Sequence, residues 1–221
     1  MSTGDKLTID IHFDLICPWC FIGKHQFTMA RGKFIGLFPA TVVETVWHPV
    51  QLLPDVPEPG LPFAGFYERR LGSAEAVRQR QKQVAQAASS VGLDLDLSAI
   101  ERMPNTARAH HLLRRVATLG ELALYEALLD RLFAAYFQRG EDIGDAATLR
   151  MLAAEVGVPS QVVDVAQADA GSVPATSAVE GVPNFVFNGR LSLSGARDAA
   201  ILLMAMSKSV QVLAGNSGAG S

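Results

Sequence analysis

Cys17 and Cys20 are the only cysteines in 221 residues, and they stand two residues apart in the stretch DLICPWCFIGKHQF, Asp14 to Phe27. Sulfur at this spacing serves three chemistries: a structural disulfide, half of a zinc site, or a thiol pair that cycles between dithiol and disulfide. A bridge over so short a loop stabilises little, because little chain entropy is removed. Zinc needs two more ligands, and the chain offers only His12, His25, His48, His110 and His111. No pair of these has the spacing that follows a CxxC in zinc fingers, and adjacent His110 and His111 point different ways from a helix. No metal is therefore expected. The cycling pair is the reading these residues favour.

Position strengthens it. LTIDIHFDL, Leu7 to Leu15, alternates apolar and polar residues as a strand does, and a helical pattern starts at the cysteines. Pro18 suits the first turn, where its missing N–H costs nothing. Cys17 then sits at the helix N-terminus, whose unpaired N–H groups and positive dipole end favour a thiolate over a thiol. Cys20 lies one turn on, with Cβ atoms about 5–6 Å apart at such a spacing. Cys17 is the expected nucleophile and leaving group, and Cys20 the resolving thiol. Trp19, between them, is expected to be partly exposed as a flat apolar landing surface, with a core aromatic as the duller reading. Asp10, His12 and Asp14 form a polar row along the first strand. Asp14 is the best candidate for relaying protons to Cys20; capping the helix or facing a domain seam are the alternatives.

The remaining elements have to hold this junction in place. ATVVETVWHPV, Ala40 to Val50, is a β-branched second strand, so the order strand, helix, strand suggests a parallel βαβ unit. After the Pro-rich LLPDVPEPGLPF, the chain from about Phe63 to Ala170 is helical in composition with no credible strand. Asp145 is expected to cap one of its helices and Gly157 to stop it, while Tyr125, Phe133 and Phe137 read as core. Asn105 is either a helix cap or a polar group reaching the active-site groove. Strands return in PNFVFNGRLSLSG, two runs joined at Asn188-Gly189, and a last helix leads to a Gly/Ser-rich tail. Val182-Pro183 opens the first of these strands, and an X–Pro bond is cis in only about 5–6 % of folded cases.

CPWC followed by FIG, the distant GVPNFVFNGRLSLSGA, and the motifs PNTARAHHLL and GEDIGD together resemble the DsbA family of the thioredoxin superfamily, specifically its FrnE type. The resemblance runs from about Leu7 to Lys208. It implies an α/β thioredoxin fold, βαβ then ββα, interrupted by an all-helical domain. The expected boundaries are 1–60 and 166–210 for the thioredoxin parts, 61–165 for the insertion and 211–221 for a flexible tail. It also implies a disulfide oxidoreductase or isomerase with Cys17 as nucleophile, Cys20 as resolving cysteine and Pro183 as a cis-proline facing them. Pro18, Trp19, Val182 and Asn105 are the substrate-binding candidates, and the Val182 backbone would pair with an extended substrate. The pair departs from periplasmic DsbA in having no histidine between the cysteines. Loss of a charge-assisted contact of about 1.5–3 kcal/mol shifts such a pair toward the reducing side.

Composition bounds the partners. Net charge is −3, and mean hydropathy is only +0.20. Neither nucleic acid nor a membrane is expected as a partner, and the N-terminus shows no signal-peptide pattern. A cytoplasmic monomer or homodimer is expected, without a cofactor beyond its own redox disulfide. Protein or peptide thiols and small thiols such as glutathione, the latter as reductant, would be its substrates. Two rival readings stand beside this one. The first is a glutathione-dependent isomerase or transferase of the kappa or 2-hydroxychromene-2-carboxylate isomerase type, whose members usually carry serine where this chain has Cys17. The second is a peptide-binding chaperone with no redox cycle.

Overall fold

The computed structural model describes residues 6–168 and 181–217. By contact density the chain forms two units: residues 1–13, 19–49 and 177–221 make one, and residues 14–18 with 50–176 make the other.

The first unit is built on a four-stranded sheet. Its strands are β1 (Lys6–Phe13), β2 (Val42–Pro49), β5 (Asn184–Phe187) and β6 (Leu191–Ser194), in the spatial order β2-β1-β5-β6. β1 and β2 run parallel and are joined through helix α1 (Pro18–Leu37), as a parallel pair requires. β5 and β6 are antiparallel to their neighbours. The period-two pattern of β1 sorts its side chains. Leu7, Ile9, Ile11 and Phe13 are buried, while the residues between them are half-buried or exposed. Leu7, Ile9 and Ile11 of this row pack with Phe185 and Phe187 against Phe27, Ala30 and Phe34 of α1 and against Leu202, Ala205 and Met206 of α8 (Ala199–Ser217). Burying each such side chain contributes about 1.5–3 kcal/mol, so this layer is the unit's main source of stability. α8 runs past Lys208, where the sequence pattern put its end; residues 218–221 of the tail lie outside the described residues.

The hairpin expected at Asn188-Gly189 is present, with three connecting residues rather than two. Asn188 and Gly189 both take positive φ, 49° and 65°, which asparagine and glycine tolerate best. Asn188 also extends the β1 ladder, since its N–H donates to the Thr8 carbonyl at 2.8 Å and its Oδ1 accepts from the Thr8 N–H at 2.9 Å.

The second unit is helical: α2 (Phe63–Leu71), α3 (Ala74–Ser89), α4 (Ala107–Ala117), α5 (Leu122–Arg139), α6 (Ala146–Glu155) and α7 (Ser160–Ala168). Its core holds Leu113 and Val116 of α4 with Leu128, Leu132, Phe133 and Tyr136 of α5. Tyr125, Phe133 and Phe137 are all buried, as their spacing predicts. Asp145 caps α6 by accepting the Thr148 N–H at 2.7 Å, and Gly157 follows that helix in a left-handed conformation. One feature differs from the sequence reading. Two short strands, β3 (Leu61–Pro62) and β4 (Arg102–Met103), pair antiparallel within a region read as strand-free. Two residues are too few to leave a periodic signal. The pairing is allowed by Gly60, whose φ of 75° and closeness to the Met103 carbonyl exclude a side chain. Among the described residues no helix is long and apolar enough to cross a membrane.

The half-buried row of β1 carries a titratable cluster. His48 Nε2 lies 2.7 Å from Asp10 Oδ1, and the His12 and His48 rings stack at 4.8 Å. Burial, and then the neighbouring His48, lower the His12 pKa from its ordinary 6.5; Asp10 and the Asn184 backbone oppose this in part. As pH falls through 6.5 the unfolded chain therefore takes up this proton before the folded one does, and stability declines. The urea midpoint should fall on moving from about pH 7 to about pH 5, and His12→Gln should flatten part of that slope. An unchanged slope in the variant would remove His12 from this account.

Candidate active site

The site begins where β1 ends. Four residues, Asp14 to Cys17, carry the chain from the strand to α1, and the Cys17 N–H donates to the Asp14 carbonyl at 3.2 Å. Cys17 immediately precedes the first helical residue, Pro18, and Cys20 is the third. Within this first turn the two cysteines approach to 3.2 Å. Both cysteines are buried, Cys17 at 7 % exposure and Cys20 at 2 %. Pro18 and Trp19 are half-buried, and the expected partial exposure of Trp19 is present.

Asp14 follows β1 rather than belonging to it, and it is fully buried. Its Oδ2 accepts the Leu52 N–H at 2.8 Å, and its Oδ1 lies 2.9 Å from Nε2 of His110 on α4. His110 is also fully buried. The expectation for Asp14 did not include this partner. The doublet His110-His111 gives one signal that could have found it: Ala109, Leu112, Leu113 and Val116 form the buried stripe of α4, and His110 falls within that stripe. The stripe says that His110 is inside; it does not say which carboxylate it meets.

Asn105 lies just before α4 and ties down the Pro-rich segment. Its Oδ1 accepts from Gln51 Nε2 and from the Ala107 N–H, both at 2.9 Å, and its Nδ2 donates to the Val56 carbonyl at 2.5 Å. The bond to Ala107 satisfies an N-terminal donor of α4, which is the helix-capping role. Sequence reasoning also passed over Tyr67 on α2. Burial raises its pKa, and the charges of Cys17 and Asp14 add to this against the opposing pull of Arg70, so its hydroxyl stays protonated.

In the sheet-containing unit, the Val182-Pro183 bond is cis, and Asn184 follows it to open β5. Asn184 Oδ1 accepts from the hydroxyls of Ser192 and Ser194 at 2.8 and 3.0 Å. Gly23 of α1 stands against the prolyl ring: a Cβ there would lie 2.9 Å from Pro183 Cγ and 3.4 Å from Phe185 Cζ. Glycine in mid-helix is unfavourable by about 1 kcal/mol, and here close approach requires it. Among the described residues, no group of three or more His, Cys, Asp or Glu side chains is placed to hold a metal ion.

A βαβ unit followed by a ββα unit in one sheet, a cysteine pair in the first turn of its first helix, and a helical segment between the two halves define a thioredoxin-fold protein with a helical insertion. The chain belongs to the family of DSBA-like thioredoxin domains, whose model matches residues 8–207. It is similar to a probable DsbA oxidoreductase from Streptomyces coelicolor, at 25 % identity and a TM-score of 0.79, covering 92 % of this chain and 89 % of that one. It shares the fold of DsbM, described as a cytosolic disulfide reductase from Pseudomonas aeruginosa and solved with GSH, at 17 % identity, a TM-score of 0.59 and coverage of 95 % and 98 %. An uncharacterized Bacillus subtilis protein, YwbO, is 28 % identical over 151 residues; the match spans 68 % of this chain and 66 % of that relative, just under two thirds of its length.

Removing one partner of a buried, hydrogen-bonded ionisable pair costs about 3–5 kcal/mol, because the other loses its compensation. His110→Leu, which conserves apolar bulk while leaving Asp14 Oδ1 without the imidazole, should lower unfolding free energy in urea by roughly that amount. A loss below about 1 kcal/mol would mean that the pair contributes no more than an exposed one.

Proposed function

We propose that this protein is a thiol-disulfide oxidoreductase of FrnE type, exchanging disulfides at Cys17 with protein, peptide or small-thiol substrates. The observation that carries the reading is the approach of Cys17 and Cys20 to 3.2 Å in the first turn of a helix. The Cys17 thiolate attacks a substrate disulfide, forms a mixed disulfide with one sulfur and releases the other as a thiolate. Cys20, as thiolate, then attacks Cys17 Sγ, closing the Cys17–Cys20 bond and expelling the second substrate thiolate. The substrate gains two electrons and the protein loses them. Two equivalents of a thiol such as glutathione restore the dithiol, and with an oxidised protein the same steps run in reverse. The solved relative carrying GSH supports a small thiol as co-reactant.

Other residues take the roles that the family motif implies. Pro183 and the Val182 backbone hold an extended substrate by strand pairing, while Pro18 and Trp19 offer it apolar surface. Asn105 supports this surface through the segment it fixes. Asp14, buried three residues before Cys17, handles the proton gained or lost by the resolving thiol, with His110 holding its carboxylate in place. The cytoplasm, where reduced thiols are abundant, is the compartment this chemistry suits.

Cys17→Ser should reduce insulin disulfides no faster than the buffer thiol alone. Cys20→Ser should accumulate a mixed disulfide at Cys17, seen as a mass adduct that dithiothreitol removes. Full insulin reduction by Cys17→Ser would end the proposal. If aggregation suppression persists without both cysteines while no exchange occurs, a chaperone is the better reading. Tight calorimetric binding of glutathione to the doubly substituted protein, again without exchange, favours the isomerase or transferase.

A further inference from the structure

The helical unit contains a recess, partly open to solvent, that the family motif does not explain. Two of its wall residues are Ile16 and Pro18, the neighbours of Cys17 on either side. Both chain neighbours of Cys17 thus form part of the recess wall, although Cys17 itself does not line it. Its other walls are mostly apolar: Phe63 and Leu71 from α2, Val77 and Val84 from α3, Leu97, and Phe137 from α5. Polar groups enter at few points, from the phenols of Tyr67 and Tyr136 and from Arg80 and Gln81 on α3.

These polar groups differ in how far they are already committed. The Tyr136 hydroxyl points to Met103 Sδ at 3.8 Å, whereas Tyr67 makes ring contacts with Phe63 and Phe66 and no hydrogen bond among the described residues. Arg78, two residues before Arg80, is paired with Glu75, while Arg80 has no ion-pair partner among the described residues. A recess with apolar walls, one available phenol and an uncompensated guanidinium at its edge suits a ligand that is apolar in body and anionic at one end.

We propose that this recess binds the group borne by the substrate's sulfur, and that the preferred group is an apolar, aromatic-sized body carrying a carboxylate. The inference deepens the exchange reading and rests on it. The apolar body enters between α2, α3 and α5, the carboxylate meets Arg80 with Tyr67 as a second donor, and the attached sulfur is left beside Cys17. The covalent step is the exchange already described, with the aryl thiolate as leaving group.

Two aromatic disulfides separate the charge from the shape. The reduced protein is mixed with 5,5′-dithiobis(2-nitrobenzoate), which carries carboxylates, or with neutral 4,4′-dithiodipyridine, and thiolate release is followed by stopped flow. Arg80→Gln should slow the carboxylate reagent about five-fold, the value of one exposed ion pair, and change the neutral reagent less than about two-fold. Arg78→Gln, which removes the same charge outside the recess, should leave both rates near wild type. Equal effects of Arg80→Gln and Arg78→Gln, or none from either, would overturn the proposal. A second arm does not depend on exchange: 2-naphthoate is titrated calorimetrically into the Cys17→Ser, Cys20→Ser protein. Binding that Leu71→Trp abolishes by filling the recess supports the pocket, and absence of binding before that substitution overturns it. Binding of 2-naphthoate with no reaction of wild-type thiols toward either disulfide would retain the pocket and discard the exchange reading.

Discussion

The burial of Asp14 is the constraint from which the rest of the site follows. A carboxylate with no solvent exposure must find donors, and it finds the Leu52 N–H on one oxygen and His110 on the other. Its own carbonyl accepts the Cys17 N–H. One residue thus ties together the segment after β2, the buried stripe of α4 and the start of α1. The backbone of Cys17 is thereby tied to a residue whose carboxylate is held at both oxygens.

This anchoring also explains why residues 14–18 group with the helical unit although β1 and most of α1 do not. Their bonds run to Leu52 and His110, and Ile16 and Pro18 line the recess formed with α2, α3 and α5. Cys20 is organised differently. It sits on the helix whose Gly23 admits the Pro183 ring and whose Phe27 and Phe34 enter the sheet core. The two sulfurs share one helical turn, yet the side chains that fix their surroundings come from different stretches of sequence.

Much of this was legible in the residues. The alternation of Leu7 to Phe13, the β-branched run before Pro49 and the Asn188-Gly189 turn each state a local preference that the fold obeys. CPWC with the distant Val182-Pro183 identified the family, and the cis bond is present. What escaped depended on contacts between distant positions. The Asp14–His110 bond spans 96 residues, and no local period encodes which buried histidine meets which carboxylate. Gly23 interrupts the helical pattern without a local reason, since what it makes room for lies 160 positions away at Pro183. β3 and β4 are two residues each, shorter than any alternation that could be recognised. The recess is the same kind of case, since Tyr67 and Arg80 have unremarkable sequence neighbours and gain meaning only beside Ile16 and Pro18.

The account's central claim is that Cys17 and Cys20 form one reversible two-electron couple. Equilibrating the protein across glutathione redox buffers, trapping free thiols by alkylation and weighing the products tests this without any substrate. The account predicts a single transition from two alkylated cysteines to none, with the oxidised form two hydrogens lighter and without bound glutathione. Two thiols that remain alkylatable at every ratio, or an oxidised state consisting only of a glutathione adduct, would contradict it.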